Sequence, residues 1–331
     1  MQTFRDYMDS ALYDPERGYY SRRTPTEDFY TAPELHPAFA GVVAREIKRR
    51  LDALAEAGVP GPYSITEMGS GSGRLAEDVI KALRGLSPRW ADTVRYVLVE
   101  RSRTALLDSV LALSKSVNAV GYSRLEEVLP SAGVFLSNEL VDAFPVHLLE
   151  KRGGSIYEVY VEESGRALLS DLSTDELKPY AAMIAPALSE GERHSVNLEA
   201  LRWLRTVSDK LRAGFLMTID YGRRMGGSLN PPRTFFKHTT DFRLTEGKGF
   251  KDITASVDFD PLIAEGQKLG FEVDSYETLG RFLVEGGIGD WLPQGDSVAA
   301  IRARGQVKTL FHPDGMGEIF KVLIQKRGLP R

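Results

Sequence analysis

The segment Glu67-Met68-Gly69-Ser70-Gly71-Ser72-Gly73 constrains this chain more than any other feature. It follows a short apolar run, residues 63–68, and precedes Leu75, Val79, Ile80 and Leu83 in helical spacing. Strand, glycine turn and helix in that order mark the place where a ligand approaches backbone at the switch point of an α/β sheet, and side chains at those glycines would block it. The alternation continues downstream. Residues 94–99 read as a second strand ended by Glu100, residues 104–113 as a helix, and 117–122 and 134–137 as two further strands. Such alternation predicts a parallel sheet. Residues 215–219 give a fifth strand, and 271–276 and 319–325 two final strands able to pair antiparallel. The expected fold is therefore an α/β, Rossmann-like, seven-stranded sheet.

The regions that break this alternation set the expected organisation. Apolar residues Phe39, Val42, Val43, Ile47, Leu51 and Leu54 predict a helix over 36–57, preceded by an aromatic, turn-rich stretch from Tyr13 to Tyr20. Residues 1–60 read as an N-terminal helical extension covering the cofactor. Residues 61–331 read as the main domain, with an insertion at about 151–197 on the substrate side that contains a hairpin near 156–161. Residues 223–250, rich in glycine, proline, aromatics and charge, read as a long structured loop.

The glycine spacing decides between cofactors. A dinucleotide fingerprint needs its third glycine three residues after Gly71, where Arg74 stands. A carboxylate at Glu67 would also repel a pyrophosphate but attract a sulfonium or an ammonium group. Glu100, just past the second strand, sits where a carboxylate accepts hydrogen bonds from ribose hydroxyls. Together Glu67, Gly69, Gly71, Gly73 and Glu100 predict an S-adenosyl-L-methionine site.

A second polar cluster closes the fourth strand. Asn138, Glu139 and Asp142 follow an apolar run and reach the same rim as the glycine loop, Asn138 on the cofactor side. Glu139 and Asp142 are the candidate catalytic carboxylates, able to orient an acceptor nitrogen, hold a guanidinium or take a proton; helix capping is the alternative for Asp142. Asp220 and Tyr221, ending the fifth strand, are candidate substrate-binding residues or a structural turn. Asn230-Pro231-Pro232 follows the fifth strand rather than the fourth and reads as a loop.

Composition excludes other chemistries. No cysteine is present, so thiolate metal sites and cysteine nucleophiles are excluded, and five scattered histidines predict no metal. A formal net charge of -4 disfavours general attraction to nucleic acid or anionic membranes. No signal peptide and no apolar run of about 18 residues is visible, so a cytoplasmic location is expected.

These motifs resemble the MidA-like methyltransferases, a family that includes the mitochondrial complex I assembly-factor arginine methyltransferase. The resemblance runs through Ala11-Leu12-Tyr13-Asp14-Pro15 and Gly18-Tyr19-Tyr20, Asp28-Phe29-Tyr30-Thr31-Ala32-Pro33-Glu34, the glycine motif, Asn138-Glu139 with Pro145-Val146, Asp220-Tyr221-Gly222, and Asp252 to Phe259. It implies a class I methyltransferase fold with S-adenosyl-L-methionine as donor, and a protein arginine as acceptor. It also implies that Thr31, Pro33 and Glu34 cover the cofactor. Two departures stand out. Many members have Gly-Pro-Gly at the first turn, and many carry histidine where Ser256 stands, so no histidine base is expected there. The expected partner is a protein substrate, with a homo-oligomer left open. A cofactor-binding assembly factor and a small-molecule methyltransferase are the competing readings.

Overall fold

The computed structural model of the chain describes residues 1–22, 31–226, 228–236 and 239–329. Its contacts divide it into two units. One comprises Thr31–Leu140, Leu204–Tyr221 and Ile263–Arg331; the other comprises Met1–Tyr30, Val141–Trp203 and Gly222–Leu262.

The first unit is built on a seven-stranded path: β1 (Tyr63–Met68), β2 (Arg95–Val99), β3 (Asn118–Tyr122), β4 (Ser131–Asn138), β5 (Leu211–Arg223), β6 (Glu272–Thr278) and β7 (Phe320–Arg327). The last two residues of β5 belong to the second unit. The strand order is β3-β2-β1-β4-β5-β7-β6. Strands β1 to β5 pair in parallel, and β7 runs antiparallel to both β5 and β6. All six residues of β1 are buried, as both-face covering by helices requires. The helices that matter for the site are α1 (Ala32–Leu35), α2 (Ala38–Glu56), α3 (Arg74–Leu86) and α4 (Arg103–Leu113). Phe39, Val43, Ile47, Leu51 and Leu54 of α2, spaced by three and four, join Ile65, Val79, Leu83, Val134 and Met217 in one core. At about 25 cal/mol per Å² of buried apolar surface, such burial is the main force holding helices to the sheet.

Order reverses between β1 and β4: from β1 the chain builds outward through β2 and β3, then returns to β4 on the other side. The C-terminal ends of β1 and β4 therefore flank the crevice where α/β sheets bind ligands. The glycine turn follows β1, and Asn138-Glu139 closes β4.

The second unit is antiparallel. Gln2–Thr3, Ser155–Val161, His147–Arg152 and Arg193–Val196 form a sheet in that order, with Ala167–Ser170 paired to Ser155–Val161. Helix Phe4–Tyr13 is capped by Thr3 and buries Phe4, Tyr7, Met8, Ala11 and Leu12 against Val146, Leu148, Val159 and Val161. Three corrections to the sequence reading follow. Residues 36–57, assigned to an extension, supply α2 to the sheet unit. The insertion is wider than 151–197, because the second unit also recruits the N-terminal segment and Gly222–Leu262. Residues 223–250 are not all loop: Arg233–Phe236 and Thr239–Asp241 form a small sheet with Asp252–Thr254, a pairing between strands too short to show period.

Candidate functional site

The glycine turn shows why each glycine stands where it does. Gly71 has φ 50° and is exposed, and a Cβ there would meet nothing within 4 Å, so the backbone faces open space. Gly73 has φ 76°, and a Cβ there would lie 2.6 Å from Ser109 Oγ of α4. One glycine keeps a cradle open and the other lets two helices close up.

Glu100 holds this turn. Its two carboxylate oxygens accept from Gly71 N at 2.9 Å and Ser102 N at 2.7 Å. A carboxylate offers about four lone-pair sites, so two bonds leave capacity for ribose hydroxyls. Glu67 has a different environment. It is 3 % exposed, and its Oε2 accepts from Tyr96 Oη at 2.6 Å. Burial pushes its carboxyl up to about 7, with Glu100 adding to the rise and Tyr96 opposing it. Nothing in the sequence singled out Tyr96, although Ile65↔Tyr96 pairing places it two residues from Glu67 in register.

At the other side of the switch point, Asn138 ends β4 and Glu139 follows with φ 52°, the single positive φ of a non-glycine residue among those described. Glu139 N donates to Ile219 O at 2.9 Å. Its Oε1 accepts from Asn138 Nδ2 and from Ala32 N, each at 3.2 Å. Ala32 and Pro33 of α1 are buried, and Thr31 stands at its N-cap with its carbonyl accepting from Glu34 N. Glu34 is exposed and accepts from Ser72 Oγ at 3.2 Å. Thus Thr31, Pro33 and Glu34 lie on a turn tied to both strand ends. The Asp28-Phe29-Tyr30 part of that motif lies outside the described residues.

Asp220 is fully buried near the end of β5, and Oδ1 accepts from Tyr221 N at 2.9 Å. The Tyr221 ring packs edge-on against Phe320, 5.7 Å between centroids. Asp142 falls in the second unit, 6 % exposed, where its carbonyl accepts from Ala255 N. It lies in a short 3₁₀ turn, Val141–Ala143. Asn230 is likewise structural: Nδ2 donates to Ser256 O, and its carbonyl accepts from Ser195 N and Oγ. Among the described residues no cluster of three or more metal-ligating side chains occurs.

Does this crevice suit a cofactor? Ser70 Oγ, Ser137 Oγ and Asn138 Oδ1 are buried without a hydrogen-bond partner among the described residues. All three stand at the ends of β1 and β4. Buried polar atoms normally have partners, so these three are available to a polar ligand. Open space at Gly71, the Glu100 carboxylate and these three acceptors fit the ribose and amino-acid parts of S-adenosyl-L-methionine.

Fold and site together define a class I S-adenosyl-L-methionine-dependent methyltransferase. Residues 42–277 match the family model of S-adenosyl-L-methionine-dependent methyltransferases, more than half of the chain. The chain belongs to that family, the MidA-like methyltransferases. It is similar over 99% of its length, at 28% identity and TM-score 0.82, to 88% of a Burkholderia thailandensis protein bound to S-adenosyl-homocysteine. Curated relatives include the Caenorhabditis elegans and Drosophila melanogaster proteins named Protein arginine methyltransferase NDUFAF7 homolog, mitochondrial. They are 25% and 28% identical over 78% and 77% of this chain. The chain spans 66% and 64% of the length of these two relatives, just under two thirds.

Proposed function

We propose that the chain methylates a nitrogen of arginine in a partner protein. The observation that carries the methyl-transfer part is the crevice between β1 and β4, with its open Gly71 cradle and unpartnered Ser70, Ser137 and Asn138 acceptors. The names of the mitochondrial relatives support the arginine acceptor. Bound S-adenosyl-L-methionine supplies an electrophilic methyl group on a sulfonium. The chain's task is then alignment, which can supply roughly 7–11 kcal/mol of a bimolecular barrier. A guanidinium keeps its proton at neutral pH, so its nitrogen is a weak nucleophile until a carboxylate raises its electron density. Glu139 and Asp142 are the carboxylates proposed for the acceptor on sequence grounds. Glu139 Oε1 accepts from Ala32 N and Asn138 Nδ2, which ties that oxygen to the start of α1.

The test is transfer of tritium from labelled S-adenosyl-L-methionine into a lysate of the source organism, followed by acid hydrolysis and amino-acid analysis. Label in methylarginine, absent with the Gly71→Val protein, is expected. Label confined to small molecules or nucleic acid would overturn the arginine reading. Cofactor binding without label in any fraction would favour a cofactor-binding assembly factor.

A further inference from the structure

Glu139 adopts a left-handed backbone conformation, φ 52°, that a side chain of its kind disfavours relative to the right-handed region. Such strain persists only where surrounding contacts hold it. Here the contacts are specific: the Glu139 amide prolongs the β4–β5 pairing by bonding Ile219 O, and the side chain reaches the first amide of α1. Asn138 Nδ2 bonds the same oxygen and fixes its direction.

The consequence lies on α1. Ala32, at its start, is fully buried and tied to the end of β4 through Glu139. Glu34, two residues on, is tied to the glycine turn after β1 through Ser72. A four-residue turn is thereby fastened to both strand ends that flank the switch point. Of the crevice polar atoms, Asn138 Oδ1 belongs to the residue beside Glu139, and Ser70 Oγ to the residue two before Ser72.

We propose that Glu139 is a positioning residue: it latches α1 to the end of β4 and so holds the cover of the cofactor crevice in its binding geometry, rather than acting as a base. It rests on the cofactor assignment alone and is independent of which acceptor is methylated. What the latch requires is an acceptor oxygen at full glutamate reach. A glutamine supplies that oxygen without charge. An aspartate keeps the charge, is one methylene short, and tolerates positive φ better than glutamate does.

The experiment is calorimetric titration of S-adenosyl-L-methionine and S-adenosyl-homocysteine into the full chain and its Glu139→Gln, Glu139→Asp and Glu139→Ala variants. Thermal unfolding and amide hydrogen exchange over residues 32–35 are recorded alongside. Glu139→Gln is expected to bind both ligands as the parent does. Glu139→Asp and Glu139→Ala are expected to bind both about tenfold or more weakly while remaining folded, with faster exchange at 32–35. Two results would overturn the proposal. One is unchanged affinity in Glu139→Asp and Glu139→Ala, even with lowered unfolding temperatures, which would make the contact merely structural. The other is Glu139→Gln binding as weakly as Glu139→Ala, which would make charge the working property.

Discussion

The two units were built from the sequence in different ways. The sheet unit reads almost in order: strand, turn and helix follow one another, and its ligand crevice lies where two local motifs, residues 67–73 and 138–139, end neighbouring strands. The second unit joins three distant segments, so that helix Phe4–Tyr13 shares a core with Val146, Val161 and Ile253. A local motif can announce a ligand; a core assembled across more than 200 residues announces nothing locally.

Glycines of two kinds occur within the sheet unit. A Cβ at Gly133 would lie 2.0 Å from Ser64 O of the neighbouring strand, whereas at Gly71 it would meet only open space. Gly133→Ala is expected to lose the folded state, since backbone cannot yield there. Gly71→Val is expected to stay folded, destabilised by about 1–3 kcal/mol through its positive φ, and to lose the cofactor. Chemical denaturation of both proteins checks this, and a stable Gly133→Ala protein would refute the register.

Glu100 comes next. Glu100→Ala removes the acceptor for Gly71 N and Ser102 N, and is expected to weaken S-adenosyl-L-methionine binding by about tenfold or more. Titration of that variant at parental affinity would detach Glu100 from the site.

Glu67 adds a dependence on pH. Glu67 has its carboxyl raised by burial to about 7, above the unfolded value near 4.5, so the folded state holds a proton that the unfolded state has lost. Its contribution to stability is full below about 4.5 and declines as pH rises through about 7. A cationic cofactor favours the ionised form, so affinity for S-adenosyl-L-methionine should rise with pH through the same window. Glu67→Gln should flatten both profiles. A parental slope surviving in that variant would assign the titration elsewhere.

The smallest expected effect lies in the second unit. Glu158, fully buried, accepts from Ser173 N and pairs with His147, and these contacts hold its carboxyl below the usual range against the opposing effect of burial. A depressed value adds stability above the unfolded pKa, lost as pH falls through the folded one. Glu158→Gln should lower stability at pH 7 by about 1–3 kcal/mol, measured in urea, and leave cofactor affinity unchanged. A change in affinity would mean the two units are coupled in binding.

What was legible in the sequence follows from locality. β1 was read at its observed bounds, 63–68, because an apolar run meets a glycine turn. The antiparallel pairing of the last two strands was also read correctly. Tyr96 was not legible, because its role depends on register with Glu67 rather than on spacing along the chain. Glu139 was read as a candidate catalytic carboxylate, but nothing in the sequence shows that its carboxylate meets Ala32, 107 residues away. Helix Phe4–Tyr13 has apolar residues at three and four spacing that the neighbouring tyrosines and turn residues obscure. Trp203 packs against Phe144, and Trp291 lies so close to Gly41 that a Cβ there would be 2.3 Å from its ring.

The most direct measurement is calorimetric titration of S-adenosyl-L-methionine into the parent chain and into Gly71→Val. The account predicts one site in the parent and no detectable binding in a variant that remains folded. Binding of equal affinity to both proteins would place the cofactor somewhere other than the crevice between β1 and β4, and would contradict it.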